Sequence, residues 1–234
     1  MVKRVVNMIK LTTADTFTLL NALSGFLGIT YVLDGKYHLA ALFIFSSVIF
    51  DGLDGLSYRR FGSTHKAGDK LDSLADSISF VIFPAIFLYS MYYDPSRGAA
   101  FEDLKNAATV IAVFAILSSG IYHLGVFVAH GPDKFFLGQP TPLAAIIIVE
   151  SIFLLPQPFV EVLAILLSIS MAIPITIPKV NRRDSIIAFF ILLFSASYFI
   201  LCLLGTDIPP ILWTAFIITS AYAIFISIAP HFKN

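Results

Sequence analysis

The chain has 234 residues, of which 58% are hydrophobic and only 13% charged, with a mean hydropathy of +0.88. That is about half the charged fraction of a soluble domain, which excludes an ordinary cytosolic protein, a disordered chain and a basic nucleic-acid binder. The 15 basic and 15 acidic residues cancel, so the information lies in where they sit; the single cysteine, Cys202, excludes an internal disulfide and reads as a small packing residue in an apolar run.

Stretches free of Asp, Glu, Lys and Arg run over 16–33, 37–50, 77–93, 106–132, 135–149, 162–178, 185–206 and 208–232. A spanning helix needs about 20 mostly apolar residues, so these are eight candidate spans. The runs are continuously apolar, without the period-2 alternation of a membrane barrel strand. The first follows a basic segment, Met1 to Lys10, and lacks a small-residue cleavage site; it reads as a spanning helix rather than a signal peptide. Gly25 and Gly28 in it offer close approach to a neighbouring helix. The runs 37–50 and 77–93 reach spanning length only by extending into the charged segment 51–76 between them. The run 135–149 lengthens past Glu150, and Pro156, Pro158, Pro174 and Pro178 blur the boundaries within 141–178. The longest connection is expected around 93–105. The whole of 1–234 reads as one all-α integral membrane domain.

The basic residues orient it. With alternating sides, one side holds Lys3, Arg4, Lys10, Arg59, Arg60, Lys66, Lys70, Lys134, Lys179, Arg182, Arg183 and Lys233, and the other only Lys36, Arg97 and Lys105. That bias predicts eight spans with both termini in the cytoplasm.

The charged segment carries five aspartates, Asp51, Asp54, Asp69, Asp72 and Asp76. Ionisable groups at membrane depth are costly and usually serve a function. On a helix Asp51 and Asp54 lie about 60° apart, and Asp72 and Asp76 about 40° apart, so each pair shares a face. A basic, glycine-containing turn near 60–68 would bring the two helices together at their cytoplasmic ends. Four converging carboxylates without cysteine form a hard-oxygen site suited to two Mg²⁺ or Mn²⁺ ions, which could in turn hold a diphosphate. Asp69 would sit about 10 Å along the axis from Asp76 and reads as a cap at the helix start. Two other readings of the segment are a solvated loop and a carboxylate-based cation transporter. The five basic or imidazole side chains beside the cluster favour an anionic substrate instead.

The pattern Asp51-x-x-Asp54-Gly55-x-x-Tyr58-Arg59-x8-Gly68-x3-Asp72-x3-Asp76 closely resembles the signature of the CDP-alcohol phosphatidyltransferases. Tyr58 stands where the family has a small alanine. The resemblance implies a six-helix membrane core, to which this chain adds two helices. It implies that Asp51, Asp54, Asp72 and Asp76 hold two divalent cations, that these bind the diphosphate of a CDP-linked lipid, and that Asp76 is the general base. Asp54, Gly55, Tyr58, Arg59 and Gly68 would then contact the CDP-lipid, with Gly55 and Gly68 admitting the cytidine close to the backbone. Arg59 would brace the acidic cluster or contact phosphate, bracing being favoured.

Three features are similar to the phosphatidylserine and archaetidylserine synthase branch: Leu71–Phe80 with Pro84, the run Phe136-Leu-Gly138-Gln-Pro140-Thr-Pro142, and Leu19-Leu20-Asn21 with Gly25. The resemblance covers roughly 15–142. It implies transfer from CDP-diacylglycerol or CDP-archaeol to L-serine with release of CMP. Glycerol phosphate and inositol phosphate are the alternative acceptors, and a homodimer is an allowed assembly. That branch carries two arginines where this chain has His123 and Val126. His123 reads first as a packed, hydrogen-bonded helix residue and second as an acceptor ligand. Lys134, Lys179, Arg182 and Arg183 read as the positive-inside bias, or else as a site for lipid phosphate or an acceptor carboxylate.

Overall fold

A computed structural model describes residues 11–61, 68–130, 135–173, 176–178, 182–206 and 209–228. Among them are eight helical rods: α1 (Thr13–Leu33), α2 (Tyr37–Phe61), α3 (Gly68–Tyr92), α4 (Leu104–His130), α5 (Thr141–Leu154), α6 (Gln157–Ala172), α7 (Arg182–Leu203) and α8 (Pro209–Ile228). Each expected run holds one rod. The two short runs lengthen as anticipated, α2 forward to Phe61 and α3 back to Gly68. Residues 1–10, 62–67, 131–134, 174–175, 179–181, 207–208 and 229–234 lie outside the described residues, with Lys3, Arg4, Lys10, Lys66, Lys134, Lys179 and Lys233 among them.

Among the described residues, α1 to α4 are long and apolar enough to cross a membrane by length and composition. The expectation of eight spans is met to that extent. The shortfall is clearest in α5 and α6. Their 14 and 16 residues extend about 21 and 24 Å at about 1.5 Å each, short of a hydrocarbon core of about 30 Å. Prolines set these lengths. Pro142 and Pro158 occupy the first turns of the two helices, where a missing N–H costs nothing, and Pro156 separates them. α5 is enclosed by α2, α3, α6 and α8, and Ala144 to Ile152 are buried without a break.

The chain is not wholly α. Phe135–Leu137 (β1) and Thr176–Pro178 (β2) pair antiparallel, Phe136 opposite Ile177. Pro178 ends the pairing, as a residue without an N–H should. Gly138 follows at φ +79, its α-carbon so close to the Met171 carbonyl that a side chain would overlap it. The proline loop thereby docks on the last turn of α6, with the Gln139 N–H donating to the Ser170 carbonyl at 3.1 Å.

The core is aromatic. Phe87 meets Phe153 edge-on at 5.9 Å, and Phe153 meets Phe199 at 5.1 Å. The outside is also apolar: Phe114 is 69% exposed, Phe159 66% and Phe190 64%. Rods that are apolar all round belong in lipid. Polar side chains instead turn inward. Thr219 donates to Glu150 at 2.7 Å across α8 and α5, and Thr109 to Glu161 at 2.6 Å across α4 and α6. The connection after α3 is pinned by buried Asn106, whose amide both accepts from and donates to the Asp94 backbone.

α1 and α3 run parallel, and small residues set their spacing. A side chain on Gly25 would strike the Ser79 Cα at 2.7 Å, and one on Gly28 would enter the Phe83 ring. The close approach expected of these glycines is present. Gly28→Leu should therefore cost about 1–3 kcal/mol through overpacking, read as a lower unfolding temperature in detergent. Gly52→Ala, facing open space, should leave stability unchanged or raise it.

Candidate active site

Asp51 and Asp54 stand ten and seven residues before the end of α2, and Asp72 and Asp76 lie in the first turns of α3. One oxygen from each of Asp51, Asp72 and Asp76 lies within 4.8 Å of the others. Asp54 is buried and sits beside Asp72, within hydrogen-bonding reach. All four predicted carboxylates therefore converge, three of them as a group of metal-ligand spacing. Asp69 is exposed and outside that group, one residue inside the helix start rather than capping it. There its charge complements the positive helix N-terminus.

α1 supplies hydrogen-bond donors to the cluster. The Thr18 hydroxyl donates to Asp54 Oδ2 at 2.9 Å, and Asn21 Nδ2 donates to Asp76 Oδ1 at 2.9 Å. The Ser79 hydroxyl, just past Asp76, donates to the Asn21 carbonyl at 2.8 Å. Sequence reasoning missed Thr18 and Ser79 and quoted Asn21 only for its likeness to other chains. The signal was present: Thr18 and Asn21 are polar residues three apart in an apolar run, hence on one helix face.

The helix changes winding at this point. From Ser77 to Ile82 it is a π-helix, and the Phe83 N–H reaches back five residues to the Ile78 carbonyl. Pro84 gives the reason. It has no N–H for the Phe80 carbonyl and its ring would press on that carbonyl in an α-helix, so the turn widens.

The other predicted residues divide. Gly55 faces open space, with no atom within 4 Å of a built Cβ, which leaves room rather than a helix contact. Tyr58 is 43% exposed. Gly68 opens α3 and is half-buried. Arg59 is exposed and makes no ion pair with any of the four aspartates. The favoured bracing role is thus corrected: at the helix end the long side chain reaches solvent more readily than the buried carboxylates. His123 is buried, with Nδ1 3.0 Å from the Met171 carbonyl, a packed and hydrogen-bonded helix residue. The side chains of Arg182 and Arg183 lie outside the described ones.

The donor set fits a divalent cation. The ligands are hard carboxylate oxygens, and Asp72 Oδ1 is buried without a hydrogen-bond partner, as an atom awaiting a cation would be.

Residues 11–177 match the CDP-alcohol phosphatidyltransferase family, and the chain belongs to it. The fold and the carboxylate cluster are those of a multi-pass membrane enzyme of this class. The archaetidylserine synthase of Methanothermobacter thermautotrophicus is 36% identical over 137 residues, 57% of this chain and 54% of that protein. The CDP-diacylglycerol–serine O-phosphatidyltransferase of Methanocaldococcus jannaschii is 30% identical over 202 residues, 85% of this chain and 86% of that one. The enzyme so named from Mycobacterium leprae is 28% identical over 135 residues, 58% of this chain and 44% of that one. The match to the first spans about half of that relative's length.

Removing one ligand should be felt in metal binding itself. Asp51→Asn or Asp72→Asn should weaken Mn²⁺ binding at least about tenfold, since even outer partners of metal ligands cost 10–100-fold. Titration of the lipid-free protein in detergent, followed by electron paramagnetic resonance, measures this. An Asp69→Asn control should stay close to wild type.

Proposed function

We propose that this chain transfers the phospholipid moiety of a CDP-linked lipid to the hydroxyl of L-serine and releases CMP, at a site open to the cytoplasm. The carrying observation is the convergence of Asp51, Asp72 and Asp76 within 4.8 Å, in a chain similar over 85% of its length to an enzyme named for serine transfer. The twelve-to-three asymmetry of basic residues supports the orientation, with both termini on the same side as the cluster.

Asp51, Asp54, Asp72 and Asp76 are the ligands for two Mg²⁺ or Mn²⁺ ions. When bound, these ions supply charge neutralisation to the diphosphate and make CMP a better leaving group. Asp76 takes the proton of the acceptor hydroxyl as its oxygen bonds to the lipid-bearing phosphorus and the bond from that phosphorus to CMP breaks. The hydrogen bond from Asn21 holds Asp76 in place for this. Gly55 leaves room beside the cluster for the nucleotide, and Arg59 and Tyr58, at the exposed end of α2, meet its phosphate and base. The surrounding apolar helices admit the lipid chains from the side.

The test is CMP release from CDP-diacylglycerol and from CDP-archaeol, with serine, glycerol phosphate and inositol phosphate offered in turn. Serine should support turnover, and EDTA should abolish it. Ion movement in vesicles without a CDP-lipid would instead favour transport. Asp76→Asn should lower turnover about 10²–10⁴-fold and keep much of the CDP-lipid affinity; Asp54→Asn should lose both. Loss of CDP-lipid binding in Asp76→Asn as complete as in Asp54→Asn would make Asp76 a metal ligand first.

Orientation is checked separately. Single cysteines introduced at 60–67 and 181–184 in a Cys202→Ser background should label from the cytoplasmic side, and those at 95–104 from the other.

A further inference from the structure

One buried acceptor beside the aspartates is unaccounted for. Asn21 is wholly buried, and its Oδ1 has no hydrogen-bond partner. Every other polar atom of its side chain and carbonyl is engaged. Nδ2 donates to Asp76 Oδ1 at 2.9 Å, and the main-chain carbonyl accepts from Ser79 at 2.8 Å and from Ser47 at 3.5 Å. The residue is thus held from α2 and α3 at once. Chemistry fixes the direction of its amide. A carboxylate only accepts, so the nitrogen must face Asp76 and the oxygen must face elsewhere.

A buried amide oxygen without a donor is costly, so it is kept where a donor arrives. Diphosphate and cytidine phosphate oxygens offer none. The reacting hydroxyl has a single proton, and that proton is directed at Asp76. A second group on the acceptor, close to the hydroxyl, would supply the missing donor; the ribose hydroxyls and cytosine amino group of the CDP-lipid are the competing donors, and CDP-lipid affinity in Asn21→Ala separates them. An ammonium on the carbon next to the one bearing the hydroxyl satisfies this. The two amide atoms of Asn21 lie about 2 Å apart by ordinary covalent geometry, so a group on Oδ1 is a near neighbour of one on Asp76.

We infer that Asn21 Oδ1 accepts a hydrogen bond from the acceptor's ammonium group, making Asn21 a specificity-determining residue that selects a vicinal amino alcohol and seats its hydroxyl at Asp76. This rests on the serine-transfer reading above. The same amide would serve two ends, its nitrogen orienting the base and its oxygen orienting the nucleophile.

The experiment compares serine with 3-hydroxypropanoate, which has hydrogen in place of the ammonium, in wild type and Asn21→Ala. Three further measurements accompany it: Mn²⁺ affinity, CDP-lipid affinity, and serine binding by calorimetry in the presence of Mn²⁺ and CDP. In wild type, serine should exceed 3-hydroxypropanoate in kcat/KM by tenfold or more, about what a hydrogen bond to a charged group provides. In Asn21→Ala, assayed at saturating Mn²⁺, the ratio should fall towards one and serine binding should weaken about tenfold, with CDP-lipid affinity within about threefold of wild type; Mn²⁺ affinity itself should fall, because the hydrogen bond to Asp76 is lost. A merely structural Asn21 would leave the ratio intact, and that result overturns the inference alone. Loss of CDP-lipid affinity at saturating Mn²⁺ also overturns it, because the missing donor then belongs to the CDP-lipid. If Asn21→Ala does not fold, the wild-type ratio decides, and a ratio near one overturns the inference. Absence of CMP release with serine in wild type overturns the serine reading and the inference together, and is recognised by that absence.

Discussion

Four carboxylates crowded among apolar helices repel one another, and the architecture depends on how that repulsion is offset. Water is scarce at this depth, so the charge must be shared with donors on neighbouring rods or with bound cations. α1 provides the donors. Thr18 reaches Asp54, and one turn further along Asn21 reaches Asp76. These bonds engage one oxygen each of Asp54 and Asp76, and Asp72 Oδ1 stays bare. That bare oxygen, among converging carboxylates, suits the cluster to divalent ions. A cluster fully satisfied by protein donors would have little reason to bind them.

The donors must come very close, and this explains the glycines. Asn21 can reach Asp76 because α1 and α3 touch at Gly25 and Gly28, where a side chain would collide with Ser79 and Phe83. The three contacts Asn21–Asp76, Gly25–Ser79 and Gly28–Phe83 advance along both rods together, as parallel helices in register do. The π-turn lies in the middle of this seam. It adds a residue between Asp76 and the aromatic core at Phe83 and Phe87, so the carboxylate end and the packing end need not share one strict periodicity. A turn widened to accommodate Pro84 thus also presents the Ser79 hydroxyl to the Asn21 carbonyl.

Much of this was legible in the sequence because two signals are strong. Hydropathy alone placed all eight rods, since runs without charge are unambiguous in a chain this apolar. The aspartates announced themselves by helical spacing within a charged island. What stayed hidden depends on contacts between rods. Thr18 and Ser79 are ordinary hydroxyl residues in helices, and nothing local says which carboxylate or carbonyl each will meet. The short β1–β2 pairing was invisible for the same reason: three-residue strands have no periodicity, and their partners lie about forty residues apart. Arg59 misled because pairing rules favour an arginine next to aspartates, whereas the helix end directs it outward. The short lengths of α5 and α6 were obscured by four prolines, each able to start a helix or end one.

The remaining buried carboxylates show why convergence matters more than burial. Glu150 and Glu161 are as enclosed as Asp76, yet each faces hydrogen-bond donors rather than other carboxylates: Thr219 for Glu150, Thr109 and Gln157 for Glu161. A single carboxyl that finds a hydroxyl partner needs no metal, and it fastens two helices where hydrocarbon contacts are interchangeable. Such fastening has a use here. α5 is short, deeply enclosed and flanked by prolines, and Glu150 ties it to α8 while α5 also packs along α3 behind the catalytic turn. Glu161 similarly ties α6 to α4 through Thr109. The last turn of α6 then holds both His123 of α4 and the proline loop, through the Met171 and Ser170 carbonyls. The two glutamates thereby fasten rods, α5 and α4, that pack against α3 where it keeps its register with α1.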